Sequence, residues 1–269
     1  VQGKAPGDRE KGSIIRHPDV RRMLMVMRSL TEASRALCYV TASAFDSAHH
    51  AVDEDTRKLA NLRGELLTPI AKGWSTEVSQ EVSSLGVQIH GGMGFIEETG
   101  AAQYMRDARI TTIYEGTTGI QANDFIGRKL MRDNGQEFSR LLQELRLTCD
   151  ALGAMGEGMA SSAVALSEGT STLQELADWL LLQSENNRQL PGAVAVDFLM
   201  AAGTVLGGWL MAKSSLVAQQ KMDEDSAFNS AKVITARFYA EHIMPRASAY
   251  AKAAMSGSES TMALPDEQF

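Results

Sequence analysis

Ile113-Tyr114-Glu115-Gly116-Thr117, followed by Thr118-Gly119-Ile120-Gln121, is the stretch on which both fold and chemistry turn. It sets one carboxylate on a short connection between two helices. The preceding Tyr104-Met105-Arg106-Asp107-Ala108-Arg109-Ile110 reads as helical, and Thr118-x-x-Gln121 has the form of a capping box that starts the next helix. Glu115 is therefore the first candidate for a catalytic base. A helix N-terminus nearby favours its ionised form and an apolar pocket the neutral one, and these opposed effects can tune a general base. The alternative is an ordinary loop glutamate beside a helix start.

Upstream, an apolar helical run closes in Leu85-Gly86-Val87-Gln88-Ile89-His90-Gly91-Gly92-Met93-Gly94-Phe95. Glycines in such a bend let another backbone or a cofactor approach closely. Three segments occur in a telling order and spacing: Gln88-Ile89-His90-Gly91-Gly92-Met93-Gly94-Phe95, then Met105-Arg106-Asp107-Ala108-Arg109, then Ile113 through Gln121. Together they closely resemble the C-terminal half of acyl-CoA dehydrogenases, and look most like a long bacterial branch of that family. The opening Val1-Gln2-Gly3-Lys4 and the helix Arg16-His17-Pro18-Asp19-Val20-Arg21-Arg22-Met23-Leu24 fit the same picture. The resemblance is specific from residue 1 to about residue 133 and compositional beyond it.

The resemblance implies FAD-dependent oxidation of an acyl-CoA thioester to the trans-2-enoyl-CoA. Glu115 would remove the α-proton, a hydride would pass from the β-carbon to the flavin, and the Glu115 backbone would help polarise the thioester carbonyl. Gln88, Ile89, His90, Gly91 and Gly92 match the family stretch that contacts the adenine-dinucleotide part of an FAD held mainly by a neighbouring subunit. Thr117 matches a further flavin contact, and Gly116 would let substrate pass close to the loop. An electron-transfer flavoprotein is the implied redox partner. Three features depart from the pattern. Gly119 stands where many relatives carry a larger polar flavin contact, Pro18 replaces a residue that is often glutamine, and the arginine usual just before Val1 lies outside the sequence. The helical N-terminal and middle β-domains of the family are absent too, so the sequence is expected to begin inside a longer protein and to lack most of the flavin and acyl pocket by itself. An acyl-CoA oxidase, passing electrons to oxygen, is the rival among enzymes. A helical assembly module without turnover is the rival outside them.

Composition bounds the rest. A chain of 269 residues allows one or two domains, and six prolines, 6% aromatics and abundant Ala, Leu, Met and Gln favour helices. The net charge of -7 argues against a nucleic-acid surface. Cys38 and Cys149 form no disulfide framework, so reduced thiols in a cytoplasmic compartment are expected. His17, His49, His50, His90 and His242 show no metal-ligand spacing, and no metal site is expected. Arg106 and Arg109 either line an anion site or make ion pairs. Phosphoryl and acyl transfer have no motif support.

Helical periodicity organises the chain. Val20, Leu24, Met27, Thr31, Ser34, Cys38, Thr41 and Phe45 recur at three- and four-residue steps, as one face of a first helix. Asp53-Glu54-Asp55 breaks it, and a second helix over about 56–85 carries Leu59, Leu62, Leu66, Ile70 and Trp74 and packs antiparallel to the first. A short helix precedes Glu115, another follows from Gly119 through Leu130, and Met131-Arg132-Asp133-Asn134-Gly135 reads as a turn and domain boundary. Beyond it, helices are expected over about 137–167, from a capping box at Thr172-Leu173-Gln174-Glu175, from Pro191, and over about 227–255. Residues 256–261 read as a flexible tail, with Leu264-Pro265-Asp266 able to redock. Residues 198–212 carry no charge but are fewer than the roughly 20 needed to span a bilayer, so a buried bundle helix is expected, with Gly203 and Gly207 admitting a close neighbour and Trp209 filling a gap. The expected architecture is all-α: an antiparallel bundle of the acyl-CoA dehydrogenase C-terminal type over 1–133, an additional helical domain over 134–269, and assembly as a homo-oligomer.

Overall fold

The computed structural model describes residues 3–8 and 10–269, and among them it contains helices and turns with no strand. Val1 and Gln2 of the opening motif lie outside the described residues. Helix α1 (Pro18–His50) begins with proline in its first turn, where the missing N–H costs nothing. Helix α2 (Glu54–His90) is capped by Asp53, whose carboxylate accepts from the Thr56 N–H at 2.7 Å. The connection 51–53 is too short for anything but an antiparallel return, and α1 and α2 pack along their length. After a short α3 (Gly92–Phe95), α4 (Ala101–Thr111) runs back along α2. Then come α5 (Thr118–Asn123) and a π-helical turn (Asp124–Leu130).

The second half adds α6 (Gln136–Ala154), α7 (Ala160–Ser184), α8 (Leu190–Gln220), α9 (Ser226–His242) and α10 (Arg246–Met255). As expected, Pro191 lies in the first turn of α8, and the uncharged centre of the helix is buried protein interior: Phe198, Leu199, Ala202, Val205 and Leu206 have no exposed surface. Although α8 is long and apolar enough to cross a membrane, most of that stretch is covered by other helices.

Several expectations fail for definable reasons. The buried stripe of α1 is Val20, Met23, Val26, Leu30, Ala33, Leu37 and Thr41, so the expected face is rotated; Thr31 and Cys38 are exposed. Strict heptad spacing selected the neighbouring stripe, whose Met27, Thr31 and Ser34 line a groove. In α2, Leu59 and Leu62 are exposed while Leu66, Ile70 and Trp74 are buried, and the helix continues five residues past 85 to His90. Thr172 caps nothing, being inside α7; the helix expected over 137–167 is interrupted near Gly156, which has a φ of 80°. Pro245 divides the last expected helix into α9 and α10. In the tail, Ser258 is buried and accepts from Asn187 Nδ2 at 2.9 Å, whereas Leu264 stays exposed rather than redocking.

The turn 131–135 separates the halves in sequence, but their buried core is continuous from Val26 to Ala254. Phe125 of the π-turn, Phe138 of α6 and Phe198 of α8 meet edge to face with centroids 5.3 to 5.9 Å apart. Ion pairs join the same halves: Arg63 to Glu137 at 2.8 Å, Lys232 to Glu32 at 2.7 Å, and Arg246 to Glu81 bidentately at 2.7 and 2.9 Å. At the centre, Trp74 of α2 lies against α8 where Gly203 and Gly207 leave its backbone bare. A Cβ at Gly203 would fall on the Trp74 side chain, and one at Gly207 would lie 2.9 Å from the ring and 2.5 Å from the Tyr239 hydroxyl. The small residues thus admit side chains of α2 and α9, while Trp209 donates to Thr148 Oγ1 at 2.8 Å.

Gly203→Ala is expected to destabilise the chain by about 1–3 kcal/mol, because overpacking a fully buried indole outweighs the ~1 kcal/mol that alanine gains in helix propensity. Urea unfolding checks this; an unchanged or higher midpoint would show that Trp74 is not wedged at Gly203.

Candidate active site

Glu115 sits between the end of α4 and the start of α5 with a φ of 54°, one of two non-glycine residues with positive φ among the described residues. Gly116 follows at φ 93°. Left-handed backbone at a glutamate costs about 1–2 kcal/mol and persists only where surrounding contacts enforce it. Those contacts come largely from α2. Lys72 Nζ donates to the carbonyls of Thr111 at 3.2 Å, Tyr114 at 2.9 Å and Gly116, the last a short bond, and lies 5.7 Å from the Tyr114 ring centroid. One turn onward, Glu77 Oε1 accepts from the Thr118 hydroxyl at 2.6 Å. Gln121 Nε2 closes the turn from the other side, donating to the Glu115 carbonyl at 3.4 Å.

The helix start falls one residue earlier than the capping-box pattern places it. Thr117, not Thr118, caps α5, its hydroxyl accepting from the Ile120 N–H at 3.2 Å, while Thr118 is buried and faces α2. The Glu115 carboxylate is exposed and has no hydrogen-bond or ion-pair partner among the described residues. The N–H groups of Glu115, Gly116 and Thr117 likewise donate to nothing among them, whereas the Thr118 N–H donates to the Thr112 carbonyl at 3.1 Å. The turn therefore presents one free carboxylate and a run of free amides.

The glycine bend lies elsewhere. Gln88, Ile89 and His90 form the last turn of α2, with Gln88 and His90 exposed. His90 Nδ1 meets the Gly86 carbonyl at 2.8 Å; since a carbonyl only accepts, Nδ1 carries the proton in this bond. Gly91 has a φ of 62°, and nothing lies within 4 Å of a Cβ built on Gly91 or Gly92, so their backbone is open to an approaching group. Gly94 is the opposite case: a Cβ there would strike the Val87 carbonyl. From Lys72 to Gln88 is 16 residues of α2, or ~24 Å at 1.5 Å per residue. Glu115, Gly116 and Thr117 thus belong to one cluster, and Gln88 through Gly92 to another.

Neither cluster encloses a ligand. A groove of about 510 Å³ between α1, α2 and α4 reaches Gly86 and His90, and one of about 680 Å³ lies over Gln80, Phe95 and Arg109; Glu115 lines neither. Arg106 pairs with Glu97 at 3.4 Å and Arg109 donates to Thr112 Oγ1, so both have local partners. For FAD, the open backbone at Gly91 and Gly92 beside exposed Gln88 and His90 fits contact along one edge of the group. Lys72 and Glu77 escaped sequence reasoning because each resembles an ordinary charge on a long helix. The available signal was that Lys72 is the only charge in Leu66-Leu67-Thr68-Pro69-Ile70-Ala71-Lys72-Gly73-Trp74.

Comparison with known proteins gives matches on both halves. Residues 6–131 match the family described as acyl-CoA dehydrogenase, C-terminal domain, and residues 141–265 that described as acetyl-CoA dehydrogenase C-terminal like. The chain is 44% identical over 238 residues to 3-methylmercaptopropionyl-CoA dehydrogenase of Ruegeria pomeroyi, covering 88% of this chain and 40% of that protein. It is 33% identical over 247 residues to a broad-specificity linear acyl-CoA dehydrogenase of Mycobacterium tuberculosis, covering 87% and 40%. Its fold matches a Bacillus anthracis acyl-CoA dehydrogenase crystallised with FAD, with TM-score 0.69 at 20% identity over 91% of this chain and 44% of that one. The chain thus spans about 40% of the length of these curated relatives.

The backbone at Glu115 yields a stability test. Glu115→Gly relieves the ~1–2 kcal/mol left-handed penalty and adds ~0.5–1 kcal/mol of unfolded-chain entropy, so the expected net change is a gain of up to about 1.5 kcal/mol. Denaturant unfolding measures it; a clear loss of stability would mean that the side chain holds the turn together.

Proposed function

The chain belongs to the acyl-CoA dehydrogenase family as a C-terminal helical region, and on that premise we propose that its parent protein oxidises an acyl-CoA thioester to the trans-2-enoyl-CoA with Glu115 as base. The observation that carries this reading is the turn itself. Glu115 is held in a costly backbone conformation by bonds to its neighbours, while its own carboxylate and N–H have no partner.

A carboxylate so placed can take a proton from the α-carbon, and the adjacent N–H can donate to the thioester oxygen as negative charge gathers there. Gly116, without a side chain, leaves room for the thioester beside the turn. Gln88, Ile89, His90, Gly91, Gly92 and Thr117 would hold FAD. Bound there, FAD supplies the hydride acceptor for the β-carbon. Because Lys72, beside one cluster, and Gln88, in the other, stand ~24 Å apart along α2, we assign Thr117 to a flavin bound beside Glu115 and the glycine bend to a flavin centred on a neighbouring subunit. Exposed apolar side chains next to the bend, Met93 at 58%, Phe95 at 81% and Tyr104 at 76%, support a covered surface in the assembled protein. We propose a homo-oligomer, with an electron-transfer flavoprotein as acceptor.

In the complete protein, Glu115→Gln is expected to keep FAD and acyl-CoA binding but to lower turnover by about 10²–10⁴-fold, since the amide keeps shape without basicity. Steady-state assays together with the flavin spectrum decide this, and near-normal turnover would remove Glu115 from the role. Light scattering of the 269-residue chain is expected to give a dimer or larger species. A monomer at micromolar concentration would place the self-association surface outside this chain.

A further inference from the structure

We infer that Lys72 is a positioning residue that aims the Glu115 N–H and carboxylate outward by gathering the carbonyls of the turn on the opposite side. The inference rests on the reading of Glu115 as the base. A lysine ammonium has three donors, and here all three go to main-chain carbonyls, those of Thr111, Tyr114 and Gly116. No carboxylate pairs with it; among the described residues its contacts are these oxygens and the Tyr114 ring. A half-buried cation compensated by peptide dipoles and one aromatic ring, with no carboxylate, demands that those dipoles converge.

Convergence has a geometric consequence. In a planar trans peptide the C=O and the N–H of the next residue point in opposite directions, and the described residues contain no cis peptide. Turning the Tyr114 carbonyl toward Lys72 therefore turns the Glu115 N–H away from it, and turning the Gly116 carbonyl inward does the same for the Thr117 N–H. These are among the amides left without a partner. Lys72 thus sets the direction of the donor proposed to polarise the thioester, and holds the Tyr114–Glu115 and Gly116–Thr117 peptide planes on either side of the left-handed Glu115. Glu77 anchors the far end through Thr118. Without the ammonium, three carbonyls would face one another with no donor, and either peptide plane could rotate.

The experiment uses Lys72→Met and Lys72→Arg. In the complete protein, Lys72→Met is expected to lower kcat by about 10²-fold, the loss typical of a misplaced catalytic group, with KM and flavin content little changed. Lys72→Arg keeps the charge but cannot bring a planar fork onto three converging oxygens, so it should rescue only a small part of kcat. In the 269-residue chain, hydrogen exchange is expected to quicken at the Tyr114 and Thr118 amides in Lys72→Met, with the rest of α2 as protected as before. Unchanged kcat in Lys72→Met, full rescue by arginine, or loss of protection along the whole of α2 would each overturn the assignment. Glu115→Gln keeps the two ideas separate. An inactive Glu115→Gln beside an active Lys72→Met sinks the positioning role alone, whereas an active Glu115→Gln sinks the reading of the base and leaves the exchange result to judge the clamp.

Discussion

The contact of Trp74 with the bare backbone at Gly203 and Gly207 is the constraint on which the rest of the molecule depends. It fixes α2, the longest helix, against α8, the most deeply buried one. Two residues before Trp74, Lys72 reaches the carbonyls around Glu115; three residues after it, Glu77 holds Thr118; four residues further, Glu81 takes the guanidinium of Arg246 in α10. Different sides of about three helical turns therefore join the core of the second half to the exposed turn of the first. The turn owes its shape to packing it does not itself touch.

The all-helical architecture was legible because it is encoded redundantly. Asp53 interrupts one helix and caps the next, Pro191 opens α8, and the charge-free run 198–212 had to be interior. What escaped was mostly decided by tertiary contact. The buried face of α1 lies one stripe from the expected one: it is the more apolar of the two, with six of seven positions against five of eight, and it packs on α2 and α8. Thr172 has a capping pattern but continues a helix, since burial of Leu173 and Leu176 outweighs a local signal worth about 1 kcal/mol. The breaks at Gly156 and Pro245 are marked by residue type but lie inside longer periodic runs.

The candidate site was legible in its exposed residues and opaque in its supports. Glu115, Gly116 and the glycine bend announce themselves through residue type, because unusual backbone needs glycine or tolerates strain for a reason. Lys72 and Glu77 lie 43 and 38 residues before Glu115, and nothing local couples them to it. The distance between the two clusters along α2 was also invisible to one-dimensional reading, in which only the resemblance assigned the glycine bend to a neighbour's flavin. In space neither cluster is enclosed by this chain, and α2 joins them as a rod rather than as a shared wall.

That rod imposes a rule about length as distinct from identity. Inserting or deleting a single residue between Lys72 and Trp74 would rotate one relative to the other by about 100°. Either the indole would leave its glycine notch or the ammonium would swing away from the carbonyls. An insertion between Glu81 and Gln88 would instead lengthen the spacing of the clusters by ~1.5 Å and turn the glycine bend about the helix axis. Side chains along α2 can thus be exchanged one at a time, but its residue count sets the distance between the two clusters, and with it the spacing of the separate flavins they are proposed to meet. A change of length in the connections near Gly156 or at 221–225, which lie outside α2, would leave that spacing untouched.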